Sequence, residues 1–428
     1  TMHGKKREDY VTFKKVNPHW RNFFEDGTRL DLLEHVDDMV HEEALSASDV
    51  ADLKRFLAYT ERLYQATEDM YFENQAETIL QTMKYHNPFT IIRDVDLFST
   101  MNDGVTRHVK NKYLVQILNF FAKYVGTNPY HAPAILNLLP YIQWEFGLWY
   151  VEGGLFELSR ALKKLGEEVG VTFENGAEVT DVAKSDGLIE AIEINGSKMI
   201  EVDGVVSNME VIPFYRFITK EDASYVDKLE HKYGPAASGF ALHIGVDKTY
   251  DILAHHNFFY TQNPHKHYDS IFKKAELFED PTIYLVAAGK TDPSVAPKGH
   301  ENIKILPHIP VSQDPPFTQE DYMTYKDKIL EKLERMGLKD LRKHIVTEEL
   351  WTPETIQQNY YSNRGAIYGV DSHKTINRGF KNKKHSELYN NLYFVGGSVN
   401  PGGGMPMVIL SGLQVKDQIL ENKLLGPY

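Results

Sequence analysis

Leu392-Tyr393-Phe394-Val395-Gly396-Gly397-Ser398-Val399-Asn400-Pro401-Gly402-Gly403-Gly404-Met405-Pro406-Met407-Val408-Ile409-Leu410-Ser411-Gly412 is the stretch whose reading decides the fold. Its apolar opening makes a buried strand, its Gly- and Pro-rich middle a loop, and a helix begins near Pro406. Three consecutive glycines ahead of a helix N-terminus let backbone approach a ligand closely, and the unsatisfied N–H groups there favour negative charge. Such a turn can cradle an electron-rich ring. A plain strand-to-helix turn that needs glycine for positive φ accounts for the same residues, so the spacing leaves both readings open.

Upstream, from Gly153-Gly154 onward, the texture is α/β. Leu155, Leu158, Ala161, Leu162 and Leu165 form a helix stripe closed by Gly170, and Val171-Thr172-Phe173 and Ala177 to Val182 read as strands. A hairpin-like pair over 188–194 and 197–202 and the apolar strand Gly204-Val205-Val206-Ser207 follow. Residues 236–310 carry further strands, Thr318 opens a helix closed by Gly337, and Thr352-Pro353 opens another. At the other end, Tyr10 to Val16, Trp20 to Phe24 and Thr28 to Leu32 read as strands, the last two joined by the Glu25-Asp26-Gly27 turn. Helices are expected from the Ser46 cap to about Tyr124, punctuated by Pro88 and Gly104, and Gly126, Pro129, Pro133 and Pro140 break that pattern.

Length and composition bound the function. At 428 residues the chain exceeds one usual domain, so at least two are expected. Lys and Arg number 47 against 60 Asp and Glu, a net charge of −13 that argues against nucleic acid as a partner. With no Cys, the chain has no disulfide, thiolate zinc site, iron–sulfur cluster or Cys nucleophile. Aromatic residues make up 12%, which suits broad apolar contact as well as core packing. Thr1-Met2-His3-Gly4-Lys5-Lys6 is followed by no apolar stretch, so no secretory signal is read and a cytoplasmic location is expected. The most apolar stretch, Ala134 to Val151, holds Asn137, Pro140, Gln143 and Glu145 and does not read as a membrane span of about 20 residues.

Several clusters admit a chemical reading beside a bland one. His255-His256 suggests a metal, but neighbours on a strand point to opposite faces, so no metal site is expected there. His265-Lys266-His267-Tyr268-Asp269 places His, His and Asp at alternate positions, like an iron-oxygenase ligand set, and a solvated loop after Pro264 is the expected structure. The aromatic stretch 141–150 reads either as the lining of an apolar ligand tunnel or membrane contact, or as a packed core helix. Lys381-Asn382-Lys383-Lys384-His385 is expected as a solvated loop, with anionic lipid heads the alternative contact.

Residue wording adds what spacing does not. The stretches Asp9 to Thr12, Phe23 to Thr28, Lys123-Tyr124-Val125-Gly126, Gly147 to Gly154, Ser207 to Pro213, Ala254 to Phe259, Asn363 to Val370 and Asn400 to Pro406 together resemble the bacterial carotenoid desaturase and oxidase family. The Asn400-Pro401 wording is similar to its diaponeurosporene oxygenase branch. That family opens with a βαβ unit carrying G-x-G-x-x-G at the pyrophosphate of FAD. This sequence contains no such motif, and the chain is expected to start after that unit.

The resemblance implies an α/β (α+β) fold, of the two-domain FAD-dependent amine-oxidase and phytoene-desaturase type. It implies an incomplete Rossmann-type FAD domain from 1–8, 146–212 and 386–428, and a substrate domain of mixed sheet and helices from 9–145 and 213–385. It implies FAD as cofactor, with Val179 meeting the adenine through its backbone and Gly402, Gly403, Gly404, Met405, Pro406 and Met407 at the flavin face. There the helix terminus would stabilise negative charge on the reduced ring. Gly396, Gly397 and Ser398 complete the expected cofactor site, Gly397 standing where many relatives carry an acidic ribityl anchor. No catalytic acid or base maps onto the chain. The implied activity is oxidation of the terminal methyl of a thirty-carbon carotenoid to an aldehyde, with dioxygen or a quinone as acceptor and peripheral membrane contact. A carotenoid desaturase is the alternative, and a catalytically inactive fragment that binds carotenoid or membrane the second.

Overall fold

The Asp26-Gly27 turn makes its hairpin, and that hairpin ends the largest sheet of the chain. A computed structural model describes residues 4–68, 77, 96, 98–373 and 375–422. In chain order the strands are β1 (Phe13–Lys15), β2 (Trp20–Phe23), β3 (Arg29–Leu32), β4 (Trp149–Val151), β5 (Val179–Ser185), β6 (Leu188–Ile194), β7 (Lys198–Glu201) and β8 (Val205–Ser207). They continue with β9 (Ser238–Gly239), β10 (Ala241–Val246), β11 (His256–Phe259), β12 (Ile283–Ala287), β13 (Glu301–Ile309), β14 (Ile345–Trp351) and β15 (Leu392–Phe394).

An eight-stranded sheet runs β14-β10-β13-β12-β11-β2-β3, with β9 pairing off β13. Only β11 and β2 are parallel neighbours, so the sheet is mixed. Alternation along the strands divides its side chains between two cores. On one face Phe23, Phe240, Leu242, Ile244, Phe259, Leu285 and Ile305 pack under the helix Gln319–Arg335, whose Tyr322, Tyr325, Ile329 and Leu333 point down. Thr318 caps that helix, accepting from the Asp321 N–H at 3.2 Å. On the other face Trp20, Leu30, Leu32, Phe258 and Tyr260 meet the helices Ala47–Thr67, Met101–His108 and Lys112–Phe120. A smaller region holds the antiparallel sheet β5-β6-β7, the parallel pair β8-β15 and the helices Phe156–Glu168 and Met405–Glu421.

Three local expectations are corrected. Gly104 does not end a helix but lies inside Met101–His108, because a Cβ there would strike the Asn137 amide and the Tyr59 hydroxyl. Pro140 does not break a helix either: it sits in the first turn of Leu138–Phe146, where a missing N–H costs nothing. No strand forms over Val171-Thr172-Phe173, which finds no pairing partner among the described residues. Pro88 lies outside the described residues. The aromatic stretch 141–150 is divided. Trp144 packs on the helical core and donates to Leu33 O at 3.0 Å, whereas Phe146 and Trp149 are about half exposed, at 53% and 49%. No helix among the described residues is long and apolar enough to cross a membrane.

Candidate functional site

The strand-loop-helix ending forms as read. β15 lies parallel to β8 in register Leu392↔Val205, Tyr393↔Val206 and Phe394↔Ser207, and the loop 395–404 carries the chain into the helix Met405–Glu421. Gly396 N donates to Ser411 Oγ at 2.9 Å, which ties the loop to that helix. Ser398 Oγ accepts from Val211 N at 3.2 Å, and Ser398 O accepts from Asn382 Nδ2 at 3.0 Å. Val399 is buried with Phe394, and Val179, at the start of β5, packs against the same cluster. Gly396, Gly397, Ser398 and Gly402 to Met407 lie along this one loop and helix start, and Val179 packs on the cluster that holds Val399.

Both readings of the glycines have a place in this loop. Gly369 packs backbone to backbone on Gly397 and Ser398, and a Cβ on Gly403 would stand 3.1 Å from Tyr368 O. Those glycines serve the chain's own close packing. Gly404 differs: at φ +108 it adopts a conformation side chains avoid, yet no atom lies within 4 Å of where its Cβ would be. Among the described residues no side chain caps the helix that follows, and Gly404, Met405 and Pro406 are exposed. An open space before unsatisfied helix N–H groups fits the negatively polarised edge of a flat ring such as a flavin.

The segment Asn363 to Val370 packs against this loop. Glu210, just past β8, accepts from Asn363 N at 3.1 Å. Burial and the facing Glu230 push the Glu210 carboxyl up to about 7. Glu230 in turn accepts from Asn363 Nδ2 at 3.0 Å and pairs with Arg216 at 3.3 Å.

The basic run 381–385 overturns its expectation. Lys381, Asn382 and Lys384 are buried, not solvated. Lys381 N donates to Asn400 Oδ1 at 3.1 Å, its ammonium binds Val370 O and, at 2.7 Å, Ser372 Oγ, and burial lowers it to about 8. Lys384 pairs with Glu77 at 2.7 Å. The run is the floor beneath Asn400 to Gly402, invisible in a sequence that shows charge and not its partners. The segment after Pro264 is likewise a helix, Pro264–Asp269, and not a loop. Its alternate residues therefore share no strand face: His265 stacks on Tyr130, His267 is buried and Asp269 pairs with Lys273. The rings of His255 and His256 do not point apart as expected of strand neighbours, because His255 precedes the strand that His256 opens: they lie 4.4 Å apart, and they bond to Thr291 Oγ1 at 2.7 Å and to the Tyr284 hydroxyl at 2.9 Å.

A polar interior that the sequence reading assigned no role lies next to the loop. The Tyr368 ring packs over Gly126, and its hydroxyl shares a 3.1 Å hydrogen bond with His308 Nε2. Lys123, Tyr124, Tyr284, His256 and Lys304 gather beside it, and desolvation keeps the histidines uncharged and the phenols protonated. The one signal for this cluster was the Lys123-Tyr124-Val125-Gly126 wording, where a lone cation interrupts an apolar run.

No family model matches the chain. A 4,4'-diaponeurosporene oxygenase of Staphylococcus aureus (strain USA300) is 49% identical over 416 residues, covering 97% of this chain and 84% of the relative. Among solved structures, an oxidoreductase from Methanosarcina mazei aligns with a TM-score of 0.60 at 14% identity, over 96% of this chain and 83% of that one. Putrescine oxidase bound to putrescine aligns with a TM-score of 0.60 at 10% identity, over the same shares. At such identities these structures show the fold alone, the two-domain amine-oxidase architecture with its mixed sheet. On the curated likeness, the chain is an oxidoreductase and belongs to the 4,4'-diaponeurosporene oxygenase family of carotenoid-oxidising enzymes.

Proposed function

We propose that the chain oxidises the terminal methyl group of a thirty-carbon, diaponeurosporene-type carotenoid to the aldehyde, with FAD as its resident cofactor. The observation that carries the reading is the 49% identity to a diaponeurosporene oxygenase joined to the open space before Gly404 and the uncapped helix at Met405. FAD, when bound, supplies two-electron acceptance at its isoalloxazine ring. The chain supplies placement: Gly404 leaves room for the ring edge, and the helix N–H groups favour the negative charge that develops there. Conversion of R–CH3 to R–CHO takes one water and removes four hydrogens, so two two-electron oxidations are needed per aldehyde. Dioxygen or a quinone is the terminal acceptor.

Substrate size bears on delivery. At about 0.8 kcal/mol per buried carbon unit, a thirty-carbon hydrocarbon has roughly 20 kcal/mol of transfer free energy, near the ceiling of non-covalent affinity. The substrate is therefore drawn from a membrane, and the enzyme works as a peripheral protein at its surface. The half-exposed Phe146 and Trp149 support this reading. The test is to load the protein with FAD, record the bound-flavin absorbance, and supply diaponeurosporene in liposomes. Expected is a product that gains one oxygen, loses two hydrogens and reacts with hydroxylamine as an aldehyde. A product that only loses hydrogens, with a longer chromophore, refutes the reading in favour of a desaturase. Absence of bound flavin and of product refutes it in favour of a binding role.

A further inference from the structure

Lys123 ends the apolar run that begins at Leu114, in the short helical turn Phe121–Val125, and its side chain enters the helical face of the large sheet. It is 5% exposed. Its ammonium nitrogen stands 3.9 Å from the ring centre of Tyr124, 4.4 Å from Tyr284, 5.0 Å from Trp20 and 5.1 Å from Phe258. Four rings thus surround it. Among the described residues no carboxylate and no hydrogen-bond acceptor meets it, and the charged group that acts on it is another cation, Lys304. Lys304 stands 5.9 Å from the centre of the same Tyr284 ring and is itself desolvated.

A buried lysine of purely structural use finds an acid or carbonyl oxygens, as Lys332 does with Asp280, Tyr260 O and Pro281 O. Lys123 has none of these. Burial and the like charge of Lys304 hold its amine well below the usual ammonium range, which favours the neutral form with its nucleophilic lone pair. Desolvation beside a second cation is the environment that turns lysine toward carbonyl carbon. The cage also has the chemistry of a conjugated chain end, aromatic on four sides, and it lies against Tyr368, whose backbone touches Gly403 of the loop.

We propose that Lys123 captures the aldehyde end of an oxidised polyene as an imine. The proposal rests on the methyl-to-aldehyde reading above. The amine nitrogen adds to the carbonyl carbon, the C–O bond breaks, and the two amine hydrogens leave with that oxygen as water. R–CHO and Lys–NH2 become R–CH=N–Lys and H2O, with no change of oxidation state and no further reactant. The imine holds the reactive product in the protein until hydrolysis returns it.

The full 428-residue chain, without flavin, is incubated in detergent micelles with a thirty-carbon polyene monoaldehyde, then treated with sodium borohydride, digested and mapped by mass. Expected is one polyene group on the peptide that holds Lys123, with no red-shifted band before reduction, because surroundings that disfavour the ammonium also disfavour a protonated imine. Lys123→Met, shown folded by circular dichroism, loses that label. Lys304→Met slows it several-fold at neutral pH, because Lys123 without its like-charged neighbour is protonated more of the time. The proposal is overturned if Lys123 in the folded wild type stays unlabelled, if total labelling is undiminished in Lys123→Met, or if Lys304→Met labels at the wild-type rate. Should Lys123→Met not fold, the wild-type map and Lys304→Met decide. The aldehyde is supplied ready-made, so labelling is independent of methyl oxidation: a labelled Lys123 in a chain that makes no aldehyde sinks the functional reading and leaves the amine chemistry standing.

Discussion

Gly369→Ala should be among the most damaging single-methyl changes in the molecule, and its cost follows from where the methyl must go. Gly369 sits at φ +71, where an L side chain costs about 1–2 kcal/mol. Its new Cβ would overlap Gly397 C and O and stand 2.9 Å from Ser398 N. Those are backbone atoms, so no rotamer relieves the clash, and overpacking of this kind adds about 1–3 kcal/mol. The total is about 2–5 kcal/mol. Displacing Gly397 and Ser398 also strains the bonds from Val211 N at 3.2 Å and Asn382 Nδ2 at 3.0 Å. Urea unfolding followed by Trp fluorescence measures the loss, with Gly404→Ala as comparator because nothing stands within 4 Å of its Cβ. Gly404→Ala should lose only its backbone strain, about 1–3 kcal/mol, while its effect on flavin affinity exceeds its effect on stability. A Gly369→Ala protein within about 0.5 kcal/mol of wild type refutes the claim that this glycine exists for close backbone packing.

Three other outcomes follow from the same structure. Glu210 titrates at about 7 when folded against 4.5 ordinarily, so between those values the folded chain holds a proton the unfolded chain lacks, and stability falls as pH rises. Glu210→Gln keeps the acceptor for Asn363 N and should remove a fall of about 2 kcal/mol between pH 5 and 8, read from urea midpoints at the two pH values. Lys332→Met takes the buried ammonium from Asp280 and from two backbone carbonyls, and should cost about 3–5 kcal/mol or abolish soluble expression. Gly412→Ala, in the middle of the helix Met405–Glu421 with nothing within 4 Å of the new methyl, should stabilise by about 0.5–1 kcal/mol, and a destabilised variant would refute the open placement.

Elements whose causes lie within a few residues were legible in one dimension. Ser46, Thr318 and Thr352 cap the helices they were read to cap, because a side-chain oxygen and the N–H three residues on belong to the same turn. Asp26-Gly27 makes a hairpin, and Leu392 to Met405 makes the strand-loop-helix ending, both by local geometry. The wording of that ending and seven other stretches carried the family, which the curated relative shows. The sequence was silent or misleading where a residue's meaning depends on what the fold brings to it. Lys381 and Lys384 read as solvated charge and are buried under the glycine loop, and Gly104 read as a break and is a contact. Lys123 read as one letter of a motif, yet Trp20, Phe258 and Tyr284 reach it from three different strands. A sequence by itself thus determined the caps and turns set within a few residues and which family the chain resembles. The tertiary structure alone decided which charges leave water, because desolvation depends on the atoms gathered around a group and not on its neighbours along the chain.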